Sequence, residues 1–158
     1  MLRLRASIVL AVVAVAAVTA SASGSTRALP VIQLISTRTT FQPHDVAPKG
    51  PSKGDTVFTT SQLTNYVAQF DRPQRELVGT DRRTIAMVTR TTGTIEGLTR
   101  LPGGTLILRG TVRFVANGMI IPVTDGTGEY AGARGTATVS TCCGDPKKSL
   151  NVYRLTYK

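Results

Sequence analysis

Glu96 is the first residue in this chain to weigh for chemistry, because it lies between Arg90 and Arg100 in a β-rich stretch. A carboxylate held beside an arginine stays charged and can polarise or orient a bound molecule. On the outside of a sheet the same pair is only a surface ion pair, and the sequence alone leaves both placements open. Asp55 stands where a strand begins, so its carboxylate either meets a ligand at a rim or caps a turn. Thr60, Asn65 and Tyr66 follow on that strand and add hydrogen-bonding groups, with a polar outer strand face as the alternative. Asp55, Thr60, Asn65, Tyr66, Arg90 and Glu96 are the candidate ligand-binding set, and no residue is assigned a catalytic role.

Other chemistries lack their residues. His44 is the single histidine and sits in a proline-rich segment, so a serine–histidine–acid triad would rest on it alone. Cys142 and Cys143 are the only cysteines and adjoin each other, and without a second pair neither a metal site nor a cofactor is expected. Adjacent cysteines cannot staple distant parts of a domain. A vicinal bridge, pairing between molecules and free thiols are the three alternatives. The run from Asp125 to Gly135 is rich in glycine, but it lacks the lysine and hydroxyl of a phosphate loop and leads into strand-type residues. Aromatic residues are 5% of the chain and do not interleave with the basic ones, which argues against a nucleic-acid partner.

The elements that must position these residues are strands. No stretch beyond Asp55 carries a 3.6-residue apolar period, and short alternating runs recur between turn signals. Strands are expected at residues 31–40, 56–66, 84–91, 94–100, 105–114, 119–123, 136–141 and 151–157. The turns fall at Asp71-Arg72-Pro73, Gly79-Thr80-Asp81, Pro102-Gly103-Gly104 and Asn117-Gly118. In the clearest strand Leu106, Leu108, Val112 and Phe114 share one face, while Thr105, Arg109, Thr111 and Arg113 share the other. Prolines and glycines between Phe41 and Gly54 break regular structure and predict a long loop able to cover a cavity mouth. About eight strands with short connections favour an all-β, closed antiparallel eight-stranded β-barrel, because closure removes exposed edges. A two-sheet sandwich is the alternative. The glycines Gly126, Gly128 and Gly135, with Tyr130, build a tight corner between two of the strands.

The first residues read as an export signal over residues 1–22: Arg3 and Arg5, an apolar run from Ala6 to Val18, then Ala20-Ser21-Ala22 for cleavage. That run is shorter than the ~20 residues of a bilayer span, so no transmembrane anchor is expected. Residues 23–30 read as a flexible leader and residues 31–158 as one domain, secreted to the extracellular space. Losing Arg3 and Arg5 lowers the net charge of +10 by two. A basic secreted protein is drawn to anionic envelope polymers, although the same charge also maintains solubility.

Three segments carry a family resemblance: Gly126-Thr127-Gly128-Glu129-Tyr130 with Ala133-Arg134-Gly135, Leu101-Pro102-Gly103-Gly104-Thr105 reaching Gly110, and Asp55 to Leu63 followed by Val78-Gly79. Over residues 31–158 the chain resembles the allene oxide cyclase and dirigent protein superfamily, barrels of calycin or lipocalin type. The resemblance implies a barrel that is often a homotrimer, with an apolar lumen holding a small, largely apolar organic metabolite. It also implies a cyclase-like, isomerase or dirigent activity that steers cyclisation or coupling. Arg134 in the corner either binds an anion or makes a structural hydrogen bond to nearby carbonyls. Asp125 stands where the family commonly has glycine, and the corner is a feature of the fold. Non-catalytic interaction with envelope polymers is the second reading.

Overall fold

A computed structural model of the protein describes residues 31–157. The expected export signal and leader, residues 1–30, lie outside the described residues. Eight strands run in chain order: β1 (Ile32–His44), β2 (Thr56–Asn65), β3 (Leu77–Met87), β4 (Thr92–Leu101), β5 (Gly104–Val115), β6 (Gly118–Gly128), β7 (Ala133–Thr141) and β8 (Lys148–Tyr157). Each pairs antiparallel with the next, and β1 closes on β8 from Ile32↔Tyr153 to Thr37↔Lys148. The closed barrel replaces the sandwich alternative. No helix among the described residues is long and apolar enough to cross a membrane.

Period-two alternation explains why these segments are strands. On β5, Leu106, Leu108 and Val112 point inward and are fully buried, with Arg109 and Arg113 exposed on the other face. Leu34, Leu63, Ile95, Ile121, Ala137 and Leu155 complete the same interior from other strands. Burying each of the larger aliphatic side chains stabilises the barrel by roughly 1.5–3 kcal/mol.

Several boundaries differ from expectation. Gly79-Thr80-Asp81 is not a turn but the middle of β3, where Gly79 pairs with Leu63 and Asp81 with Ser61 and Thr99. β1 continues through Pro43 to His44 because both keep their pairing with β2, which shortens the connecting loop to residues 45–55. The β5–β6 hairpin turns on Ala116 and Asn117, one residue earlier than Asn117-Gly118, with Gly118 already paired to Val115.

The antiparallel order sends alternate loops to opposite ends. The loops at residues 45–55, 88–91, 116–117 and 142–147 ring one end, and those at 66–76, 102–103 and 129–132 ring the other. The glycine corner belongs to the second end, which is packed shut. There Tyr130 is buried and its hydroxyl donates to Pro102 O at 3.1 Å, while the Tyr157 hydroxyl donates to Glu129 O. Asp125 accepts from Gly126 N at 2.8 Å and Gly132 N at 3.1 Å, so the carboxylate itself braces the turn. Burial, followed by Glu129 and Tyr157, pushes the Tyr130 hydroxyl up to about 12.

Candidate functional site

The first end of the barrel is hollow. A cavity of about 530 Å³ opens between the 45–55 loop and Arg90, within the size range of sites that take small organic molecules. Its walls are mainly apolar: Phe41, Pro43 and Val57 from β1 and β2, Ile85 and Met87 from β3, Phe114 and Met119 from the β5–β6 hairpin, and Pro51 from the loop. Inward strand positions put these side chains here for the same reason that they bury the core, except that near this end the row is not filled from the opposite wall. An adjoining hollow of about 210 Å³ shares Arg38, Thr59, Arg83 and Met119 with the first and reaches Ser149 and Lys147.

A buried polar circuit lies at the inner side of the hollow. Arg83 and Asp81 on β3 form an ion pair at 2.6 Å, with side chains only 7% and 2% exposed. Thr99 Oγ1 donates to Asp81 Oδ1 at 2.8 Å and lies 3.2 Å from the Tyr153 hydroxyl. Arg83 donates a long 3.5 Å hydrogen bond to that hydroxyl. Thr99 has one proton and an ionised carboxylate accepts it, so in the Thr99–Tyr153 contact the tyrosine donates. The circuit therefore runs Arg83 to Tyr153 to Thr99 to Asp81. Burial most strongly opposes the Arg83 charge, yet Asp81 and then Tyr153 outweigh it and hold the guanidinium above its ordinary range. Burial pushes the Tyr153 hydroxyl up as well, so it stays neutral.

The structure separates the residues singled out from the sequence. Asp55 and Arg90 both border the cavity. Asp55 is buried and its carboxylate accepts from Ser52 N at 2.7 Å, Val46 N at 2.9 Å and Ser52 Oγ at 3.2 Å, which makes it the anchor of the 45–55 loop. Glu96 does not line the lumen. It projects from the outer face of β4 with its side chain 77% exposed, and its partner is Arg109 at 3.8 Å, since even positions on β4 point outward. Thr60 also faces outward and meets the Thr39 hydroxyl at 2.8 Å. Asn65 and Tyr66 lie at the closed end, remote from the cavity. The Asn65 amide donates to the carbonyls of Gln69, Arg72 and Pro73 and so holds the 66–76 loop, while Tyr66 is exposed. Of the corner residues, Gly126, Gly128, Tyr130 and Gly135 serve closure, but the Arg134 side chain is on the outer surface. The corner uses only the Arg134 carbonyl, which accepts from Thr156 at 3.4 Å. Cys142 and Cys143 are joined to each other in the 142–147 loop at the open end. Among the described residues no cluster of three or more histidine, cysteine or acidic side chains could hold a metal ion.

The Val46 and Ser52 amides, in that order, hold the Asp55 carboxyl below its usual range, against the opposing effect of burial. With the folded value depressed, the anchor is fully effective above the unfolded value of about 3.9 and weakens as pH falls through the folded one. The protection of the Val46 and Ser52 amides, taken relative to their intrinsic exchange rate at each pH, should accordingly be high at neutral pH and fall in acid below the ordinary carboxylate range. Asp55→Ala should show the low protection at both pH values, and unchanged protection in that variant would remove Asp55 from this role.

No family model matches the chain, and no curated protein matches it either. Solved structures do share its barrel. The chain is similar to pyocyanin demethylase at 21% identity, with a TM-score of 0.64, over 80% of this chain and 99% of that one. It is similar to a pterocarpan synthase dirigent protein at 16% identity and a TM-score of 0.58, over 84% and 90% of the two chains. The Diels–Alderase AbmU from Streptomyces koyangensis aligns at 15% identity and a TM-score of 0.58, over 81% of this chain and 64% of that one. At such identities the likeness establishes the common fold, which dirigent and cyclase barrels share with this chain.

Proposed function

We propose that this protein is a secreted, dirigent-like barrel that holds a small, largely apolar organic molecule at its open end and steers its cyclisation or coupling. The observation that carries this reading is the 530 Å³ cavity, with apolar walls and a few polar groups at its inner side and rim. Confining a flexible molecule in such a space favours one folded arrangement and lowers the entropic cost of ring closure, which needs no nucleophile from the protein. Barrels of the same fold named as a dirigent protein and a Diels–Alderase support the assignment. The export signal read from residues 1–22 supports secretion.

Met119→Trp provides the experiment, because Met119 is only half-buried, borders both hollows, and a larger ring there fills space without displacing the core. Native mass spectrometry of protein from its source should find a small organic molecule retained by the unaltered chain and lost from Met119→Trp, with thermal melts alike. Equal retention by both would place the ligand elsewhere. Binding of envelope polymers is a second reading, favoured by Arg82, Arg100 and Arg109 exposed on the outer faces of the neighbouring strands β3, β4 and β5. That binding should weaken with salt and ignore Met119→Trp.

A further inference from the structure

The charges around the two hollows do not balance. Arg38, Arg83, Arg90, Lys147 and Lys148 border them, against Asp45, Asp55 and Asp81. Each acid is already engaged: Asp55 by the Val46 and Ser52 amides, Asp81 by Thr99 and Arg83, and Asp45 by Gly50 N at 3.3 Å. Of the cations, Arg83 is paired with Asp81, Lys148 has Asp145 at 3.8 Å, and Arg38 stacks on Phe41 at 4.5 Å and donates to Pro146 O at 3.5 Å.

The unpaired groups of the interior point the same way. Two buried side-chain donors, Arg83 Nε and Asn151 Nδ2, lack a well-aligned hydrogen-bond partner among the described residues, with Asp81 lying against the first and the Tyr153 hydroxyl beside the second. Arg83 Nε lies against Asp81 as an ion pair without hydrogen-bond alignment. A guanidinium has five N–H donors; Asp81 occupies the Nε side and the long bond to Tyr153 uses one more, which leaves the rest of the fork for an acceptor. Asn151 shares the inward face of β8 with Tyr153 and with Ser149, which borders the smaller hollow. The hydroxyl protons of Tyr153 and Thr99 are committed within the circuit. What the interior lacks is an acceptor.

We propose that the molecule held in this cavity is an organic anion, a carboxylate, sulfonate or phenolate on an apolar body, with its acid group turned inward to Arg83. Its apolar body then lies along Ile85, Met87, Phe114 and Met119, and Arg38 and Arg90 draw it in from solvent. This inference rests on the cavity being the binding site. It adds the charge and the orientation of the ligand.

A matched pair of dyes separates the two claims: 1-anilinonaphthalene-8-sulfonate, and N-phenyl-1-naphthylamine, which has the same rings without the sulfonate. Fluorescence titration of the intact protein should show the sulfonate binding about tenfold tighter or more, the scale of a charge-assisted hydrogen bond. In Asp81→Leu/Arg83→Met, which removes the pair together, the preference should fall to about threefold or less, the remainder being rim attraction, while the neutral dye binds as before. Met119→Trp should block both dyes. If that variant does not fold, competition on the unaltered protein decides, with decanoate displacing the sulfonate dye at about tenfold lower concentration than decanamide. Equal affinity for the two dyes, both blocked by Met119→Trp, or equal displacement by decanoate and decanamide, overturns the anion and leaves the cavity reading standing. Full preference persisting in the double variant overturns Arg83 as the anchor. Failure of both dyes to bind, or binding indifferent to Met119→Trp, overturns the cavity reading together with this one.

Discussion

Arg83→Met should destabilise the barrel by about 3–5 kcal/mol, because it leaves the Asp81 carboxylate buried without its cation. Both side chains are almost wholly enclosed, so solvent in the adjoining hollow compensates only in part for the lost partner. The same change removes the hydrogen bond from Arg83 to the Tyr153 oxygen, and so loosens the contact between β3 and β8 across the lumen. Asp81→Leu/Arg83→Met should recover most of the loss, since an apolar pair of similar volume needs no desolvation and leaves no charge stranded. Urea unfolding of the three proteins compares these directly. A single variant within about 1 kcal/mol of the unaltered protein would show that the carboxylate finds other support and that the circuit is not closed as drawn. Recovery in the double variant, with dye preference gone, would separate the contribution of the pair to folding from its contribution to recognition.

That circuit was not legible as a site in the sequence, and the reason lies in β3. Gly79-Thr80-Asp81 has the composition of a turn, and two charged residues on an inward row resemble the outward row of an ordinary amphipathic strand. The pairing of β3 with both neighbours overrides that local preference. A signal was present: alternation carried backward from Ile85 puts Arg83 and then Asp81 on the same face as the core. The barrel itself was legible because β5 and β8 alternate so cleanly, Leu106, Leu108 and Val112 in one and Tyr153 and Leu155 in the other. Asp55 borders the cavity because it ends the loop at the open mouth, whereas Arg90, singled out only as a neighbour of Glu96 within an expected strand, borders it because residues 88–91 are a loop at that same mouth. Glu96 was misleading. Its neighbours in sequence, Arg90 and Arg100, are not its partners, and the cross-strand pairing with Arg109 depends on a register that composition does not reveal.

Gly128→Ala should cost about 3 kcal/mol through the fold alone, with binding at the open end unchanged in the molecules that remain folded. Gly128 has φ of +62°, in the left-handed region where a side chain adds roughly 1–2 kcal/mol of backbone strain. A Cβ there would also meet the backbone oxygen of Gly103, which cannot move aside because Glu129 N donates to it at 2.9 Å. The clash and the strain therefore add at one position, and both act on the hairpin that brings Tyr130 over the closed end. Gly132 separates them. It has a comparable φ of +75°, but a Cβ there meets nothing within 4 Å, so Gly132→Ala should show the conformational cost and no clash, about half the effect or less. Denaturant midpoints for the two variants, together with dye titration at a temperature where each is folded, measure stability and recognition separately. Since the corner and the cavity lie at opposite ends of the barrel, a Gly128→Ala protein that melts normally but no longer binds would contradict the placement of function at the open end.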